Sequence, residues 1–172
     1  TGLEYFDIFY SHRYDPNTPI EETMQALVDI VRSGKALYAG ISNYPADKQQ
    51  ECYDYLRAAH VPCVIGQYKA SILCPETLQE NLPVARDNGS GFICFSPLAH
   101  GLLTNRYLNG IPSDSRVRTD GRFLNEKSIS AETLEKIKKL HQIAQDRGQT
   151  LAQMALAWLY RKEVVSSVLI GA

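Results

Sequence analysis

The chain has 172 residues, of which 44% are hydrophobic and 22% charged, and its formal net charge is −1. These values are typical of a globular protein and exclude a disordered, collagen-like or coiled-coil chain. The near-neutral charge gives no reason to expect nucleic acid or an anionic membrane as a partner, and no apolar run approaches the roughly 18 residues of a membrane span.

Strand-like runs and helix-like patterns alternate from the start of the chain. Residues 5–10 form an aromatic, strand-like run. The sequence from Thr18 to Glu21 predicts a capping box, in which Thr18 accepts a hydrogen bond from the Glu21 amide. Apolar residues then recur at helical spacing, and Gly34 is typical of a helix end. The inward face of this helix is predicted to consist of Met24, Leu27, Val28 and Val31.

The same alternation continues through the middle of the chain. Strands are predicted over residues 36–41, 61–67 and 91–95. The helix between the first two should face inward with Cys52, Tyr55, Leu56 and Ala59. A shorter helix is predicted over about residues 82–88, because Pro83 is tolerated only in a first turn.

Residues 96–128 form a long segment without a clear period, and a loop of this length is more often functional than structural. It contains four arginines: Arg106, Arg116, Arg118 and Arg122. The last three are a candidate site for a phosphorylated substrate, although a solvated arginine-rich loop is the alternative reading. Two helices follow, capped by Ser130 and Thr150, and a last strand is predicted over residues 164–170.

The spacing of the strands indicates the fold class. The first four predicted strands begin 31, 25 and 30 residues apart, which is the period of a βα unit in a parallel sheet. An eight-stranded barrel uses about 250 residues. We therefore predict an α/β fold that is part of a (β/α)₈ TIM barrel, as a single domain over residues 1–172. A doubly wound open sheet is the alternative that spacing leaves open.

In such a barrel the site lies where the strands end. His12 is the sharpest candidate because an imidazole can act as an acid, a base or a donor near neutral pH. Asn43 and Gln67 carry amides that could read a ligand carboxamide. His60, His100 and His141 are weaker candidates. No G-x-G-x-x-G run follows a strand, so a Rossmann site is not supported.

Four cysteines, Cys52, Cys63, Cys74 and Cys94, are the remaining candidates for metal or redox chemistry. None are spaced as C-x-x-C and no histidine cluster accompanies them, so a zinc site is not expected. We expect reduced thiols in or near a cytosolic core. The start of the chain lacks the pattern of a signal peptide, so we expect a cytoplasmic protein.

Several long motifs resemble the aldo-keto reductase superfamily, in particular its bacterial L-glyceraldehyde 3-phosphate reductase and channel β-subunit branch. They are YFDIFYSHR at residues 5–13, TPIEETMQA at 18–26, SGKALYAGISNY at 33–44, FSPLAHGLLTNRY at 95–107 and SSVLIGA at 166–172. The resemblance spans essentially the whole chain. It implies a (β/α)₈ barrel of which this chain covers the fourth to eighth strands.

The resemblance also implies a function and a set of site residues. Members of the family use NADPH to reduce aldehydes or ketones to alcohols. His12 resembles the family's catalytic histidine. The cofactor would be held by a set of residues that match the family's. Phe95 takes the place of the aromatic ring that stacks on nicotinamide, and Arg106 takes the place of a positively charged residue that neutralises cofactor phosphate. The other members of the set are Ser42, Asn43, Gln67, Ser96, Pro97, Leu98 and Gly101. We expect His12, Asn43, Gln67 and Phe95 to surround one nicotinamide-sized hollow.

The departures from the family set the limits of this expectation. The family's first three strands, with its catalytic Asp, Tyr and Lys, have no counterpart in the 172 residues. We therefore expect this polypeptide alone to be inactive on carbonyls, with a small-molecule carbonyl as the whole protein's substrate, such as glyceraldehyde 3-phosphate. Two open strand edges favour a homo-oligomer. A cofactor-binding regulatory subunit and an inactive scaffold are the alternative functions.

Overall fold

The computed structural model describes residues 2–113, 115–119 and 129–171, with backbone only for Arg116 and Thr119. Strands and helices alternate along it in the predicted order. The elements are β1 (Phe6–Ser11), α1 (Ile20–Arg32), β2 (Ala36–Ser42), α2 (Ala46–Ala58), β3 (Cys63–Lys69), α3 (Glu76–Asp87), β4 (Gly91–Phe95), α4 (Arg116–Thr119), α5 (Ala131–Asp146), α6 (Leu151–Tyr160) and β5 (Val165–Leu169).

The five strands form one parallel sheet in the order β1-β2-β3-β4-β5, so each strand pairs with its neighbours in the sequence. This order confirms the predicted βα repeat and the partial barrel. It excludes the doubly wound alternative, because the strand order of a doubly wound sheet reverses at its switch point.

The main core lies between the sheet and the helices that connect its strands. α1 buries Met24, Leu27 and Val28 against β2, as predicted. On the same side, Tyr68 of β3 stacks on Phe92 of β4, with their ring centroids 4.8 Å apart. A further cluster beneath the segment after β4 packs α5 and α6 against its turns, through residues such as Leu103, Tyr107, Ile137 and Leu151. The helices therefore cover one face of the sheet.

Two predicted helix starts are wrong for local reasons. The capping box at Thr18 does not form, because its hydroxyl donates to the Asp15 carboxylate at 2.9 Å and the helix begins after Pro19. α3 begins at Glu76, so Pro83 lies inside the helix rather than in its first turn. The carbonyl that loses its hydrogen bond to Pro83 belongs to the exposed Gln79, and water can satisfy it there.

Smaller differences concern α2 and the long segment after β4. α2 buries Gln49 and Tyr53 completely, whereas the predicted Tyr55 and Ala59 are only partly buried. The segment after β4 is not a plain loop, since it contains 3₁₀ turns at Ala99–Gly101 and Asn105–Tyr107 before α4. Arg122 lies outside the described residues. The helix caps at Ser130 and Thr150 are confirmed, the second as a full capping box.

Four helices end in the same hydrogen-bond pattern, in which one residue takes a positive φ just after the C-cap. Gly34, Gly89 and Gly148 occupy this position after α1, α3 and α5, and His60 occupies it after α2 with φ 58°. The His60 amide donates to the Arg57 carbonyl and the Val61 amide to the Leu56 carbonyl, which is a Schellman motif. His60 is therefore a helix-ending residue under backbone strain.

The two edge strands expose apolar side chains, and each has one sheet neighbour among the described residues. Tyr5, Phe6 and Phe9 are exposed at or beside β1, and Leu169 and Ile170 at the end of β5. No helix in the described part of the chain has the length and apolar character needed to cross a membrane. The exposed side chains of β1 and β5 lie at open sheet edges, where further strands can pair.

We predict that His60→Gly stabilises the protein by about 0.5–1 kcal/mol, because glycine adopts a positive φ without a side-chain clash. Urea unfolding followed by circular dichroism measures the difference. His60→Ala is the matched control and should bring no such gain, since alanine meets the same steric cost. Equal stability of the glycine and alanine variants would contradict the prediction.

Candidate functional site

The carboxyl ends of the strands bring most of the predicted site residues to one edge of the sheet. Ser42 pairs with Gln67 across β2 and β3, and Ser11 pairs with Ile41 across β1 and β2. Phe95, the last residue of β4, lies between Lys69 and Leu169. Because the strands are parallel, the loops that follow them emerge on the same side.

His12, Ser42, Asn43 and Gln67 are joined by hydrogen bonds, and we call this group the strand-end clamp. The Ser42 hydroxyl and the Asn43 backbone amide both donate to the Gln67 carbonyl oxygen, at 2.8 and 3.2 Å. The Asn43 side-chain nitrogen Nδ2 donates to the Ser42 Oγ at 2.9 Å and to the His12 carbonyl oxygen at 3.3 Å. The clamp thus ties the ends of three strands together.

Several polar side-chain groups of the clamp take no part in these bonds. Both Nδ2 hydrogens of Asn43 are used within the protein, and its Oδ1 and the Gln67 side-chain amide have no hydrogen-bond partner among the described residues. The His12 side chain is exposed. An acceptor, an amide that can donate and accept, and an imidazole therefore remain for a ligand.

The backbone of Asn43, a member of the clamp, is strained. Its φ is 55°, in the left-handed region that disfavours most side chains, although asparagine tolerates it better than others. The following residue, Tyr44, is only 3% exposed, and its hydroxyl forms a 2.7 Å hydrogen bond with the Ser11 Oγ. Asn81 of α3 donates to the Tyr44 carbonyl at 2.9 Å. Together these contacts hold the turn firmly enough for the strained conformation of Asn43 to persist.

Sequence reasoning missed Ser11, Tyr44 and Asn81 as supports of the clamp. Burial raises the pKa of Tyr44, so its hydroxyl remains a neutral hydrogen-bonding group near neutral pH. Tyr44 stands beside Pro45 and reads as an ordinary turn residue. The three supports lie 33 and 37 residues apart in the chain, so no local pattern could reveal them.

A second group of predicted residues lines a cleft of about 660 Å³ between the loop after β4 and the end of β5, which we call the β4–β5 cleft. Five predicted residues line it: Ser96, Pro97, Leu98, Gly101 and Arg106. His100, a weaker candidate, lines it too, with Thr104, Tyr107 and the stretch from Leu169 to Gly171. The loop is therefore a wall of a ligand-sized cleft.

The backbone of this loop is strained. Ser96, Ala99 and His100 have φ values of 55°, 47° and 57°, and Gly101 follows with 99°. Such strain clusters where a ligand is bound or a loop is switched. The Thr104 hydroxyl accepts a hydrogen bond from the Arg106 amide and donates to the Gly101 carbonyl, which fixes the turn that carries Arg106.

Phe95 is a member of neither group. It is half-buried at the end of β4, and it is neither bonded within the clamp nor part of the cleft lining. The expectation of a single hollow around His12, Asn43, Gln67 and Phe95 stays a prediction. The structure shows two neighbouring groups, with Phe95 on the strand between β3 and β5.

The buried cysteine thiols are not activated. Burial raises the pKa of the Cys63 and Cys94 thiols to about 12 and raises that of Cys52 too, so these thiols are protonated and poor nucleophiles near neutral pH. The described residues contain no group of three histidine, cysteine or acidic side chains suited to a metal ion.

Comparisons with known proteins point to one family. The sequence profile described as "Aldo/keto reductase family" matches residues 1–172. The chain is 49% identical to an L-glyceraldehyde 3-phosphate reductase of Escherichia coli K12 and 48% identical to that of Escherichia coli O157:H7, over 175 aligned positions. These alignments cover 99% of this chain and 51% of each relative. The chain thus spans about half the length of these relatives.

A solved structure shows the same fold. The glycerol dehydrogenase of Gluconobacter oxydans superposes with a TM-score of 0.76, at 22% sequence identity, over 96% of this chain and 49% of that one. At this identity the likeness concerns the fold alone.

We predict that Asn43→Ala destabilises the protein by about 2 kcal/mol, because it removes hydrogen bonds and places a less tolerant residue at a positive φ. Asn43→Gly loses the same hydrogen bonds but accepts the φ, so its loss should be about 1 kcal/mol. Urea unfolding of both variants measures the two contributions. A larger loss for glycine than for alanine would contradict the role of backbone strain.

Proposed function

Because the chain belongs to the aldo/keto reductase family, we propose that it is part of an NADPH-dependent oxidoreductase that reduces aldehydes or ketones to alcohols. We propose a small or phosphorylated sugar aldehyde as the substrate, because the Escherichia coli relatives are named for glyceraldehyde 3-phosphate. The observation that carries the proposal is the strained β4–β5 cleft, which contains five of the residues expected to hold the cofactor.

The residues of the β4–β5 cleft suit the phosphate-bearing part of a dinucleotide. The cleft has the volume of a small-ligand site. The loop from Ser96 to Gly101 would hold the cofactor through its backbone, and Arg106 would neutralise a phosphate charge. The 3₁₀ turn that Thr104 caps fixes the position of Arg106. These residues would supply binding and orientation.

The strand-end clamp suits the nicotinamide end. The Oδ1 of Asn43 can accept from a carboxamide N–H, and the Gln67 amide can both donate and accept. Ser42 acts indirectly, because its hydroxyl donates to the Gln67 carbonyl and accepts from Asn43. Phe95 would pack against the ring. When bound, NADPH supplies the hydride that reduces the carbonyl carbon.

His12 is the catalytic residue that we propose within this chain. Its imidazole is exposed, and its carbonyl oxygen accepts a hydrogen bond from Asn43 within the clamp. The clamp therefore holds its backbone, while the side chain can donate to a substrate carbonyl oxygen and support proton transfer. We propose the cytoplasm as its location, a small carbonyl compound as its partner and a homo-oligomer as its state.

We predict that the 172-residue protein binds NADPH and that Arg106→Ala weakens this binding three- to tenfold, because one charge-assisted contact to phosphate is lost. Nicotinamide fluorescence during a titration measures the dissociation constants. Arg57→Ala is the matched control, since Arg57 is an exposed arginine that pairs with Asp54 on α2. Absence of NADPH binding would contradict the proposed cofactor and favour an inactive scaffold.

We also predict that the 172-residue protein reduces no carbonyl at a useful rate. The resemblance assigns proton donation to a tyrosine that no motif of this chain supplies, and loss of a proton donor costs orders of magnitude in rate. Absorbance of NADPH at saturating DL-glyceraldehyde measures turnover. Robust turnover would overturn this prediction, whereas NADPH binding without turnover fits it.

A further inference from the structure

A second cleft, of about 250 Å³, lies between α5 and α6 beside the loop after β3. It shares no lining residue with the β4–β5 cleft, and we call it the α5–α6 cleft. Its floor is apolar, formed by Ile72, Leu140, Ile143, Met154, Ala157 and Trp158. Three polar side chains, Arg147, Gln149 and Arg161, complete the lining.

The polar part of the α5–α6 cleft is cationic. Arg147 donates from its Nε to the Gln149 Oε1 at 3.0 Å, and no carboxylate among the described residues pairs with Arg147 or Arg161. Lys162 adds a third positive charge, since its ammonium lies 4.5 Å from the centroid of the Trp158 ring. Asp146, the nearest acid along α5, accepts a hydrogen bond from Gln142. The lining itself contains no acid.

The size of the cleft suits a small molecule. A stable protein–protein interface buries about 800 Å² on each side. Here Ile143 is half exposed, and the other five floor residues are partly buried. A cleft of about 250 Å³ is close to the lower limit for a small-molecule site. A ligand that fits this lining is small, apolar along one part and negatively charged at the other.

We propose that the α5–α6 cleft binds a small amphipathic carboxylate, with its aliphatic chain on the apolar floor and its carboxylate at Arg147 and Arg161. Arginine is always protonated in proteins and matches a carboxylate with two parallel donors. Burial of the chain on the floor supplies the hydrophobic part of the binding. This site stands apart from the proposed reductase site and goes beyond it.

Octanoate is the probe, and Trp158 provides the readout because it is the only tryptophan of the chain and lines the cleft. Titration of the 172-residue protein should give a saturable change in tryptophan fluorescence, with a dissociation constant on the order of 0.1–1 mM. Acetate lacks the chain and octan-1-ol lacks the charge, so each should bind at least tenfold more weakly. Equilibrium dialysis with isotope-labelled octanoate checks the constant without fluorescence.

Three variants locate the bound octanoate. Arg147→Gln and Arg161→Gln should each weaken binding about three- to tenfold, and Ala157→Leu should abolish saturation by filling the floor. Arg57→Gln is the matched control and should leave the constant unchanged. Circular dichroism and thermal unfolding establish that each variant is folded.

Two outcomes would overturn the proposal. One is absence of saturable octanoate binding to the unmodified protein. The other is an unchanged dissociation constant in all three cleft variants, which would place octanoate elsewhere, such as the exposed ends of β1 and β5. The assay contains no NADPH, so failure of this site and failure of the proposed reductase function are distinguished.

Discussion

Pairing between sequence neighbours in a parallel sheet is the constraint on which the rest of the molecule depends. Because β1 to β5 all run parallel, every strand delivers its last residue to the same edge of the sheet. Residues as far apart in the chain as His12, Ser42 and Gln67 therefore lie within one hydrogen-bonded group. A strand that ran in the opposite direction would carry its last residue to the other edge of the sheet, away from the group to which that residue belongs.

Two kinds of interaction hold the sheet, one on the face that the helices cover and one at the edge where the strands end. The helices cover one face with apolar packing, which protects β2, β3 and β4 on that side. The edge at the strand ends is held by polar bonds instead, in which one carbonyl oxygen, that of Gln67, accepts from both Ser42 and Asn43. Packing thus fixes the strands, and directional bonds fix the positions of the side chains that follow them.

Much of the fold was predictable because the information is local and periodic. Strand spacing predicted the βα repeat, and capping residues such as Ser130 and Thr150 predicted two helix starts correctly. The helix start predicted at Thr18 was wrong because its hydroxyl bonds to a nearby carboxylate instead. The start predicted near Pro83 was wrong because a helix can contain a proline where water satisfies the freed carbonyl. The support that Tyr44 gives to the strand-end clamp could not be predicted from the sequence, because its hydrogen-bond partners come from other elements.

Neighbour-only pairing also bears on how the chain acquires structure during synthesis. Each of the five described strands pairs only with strands that are its neighbours in the sequence, so each βα unit can pack on the unit made before it. The sheet can therefore grow cotranslationally, one strand at a time. At every step the newest strand presents an unpaired edge with which the next strand can pair. The same open edge can also pair with a strand of another chain, so it is a site at which assembly can go wrong during synthesis.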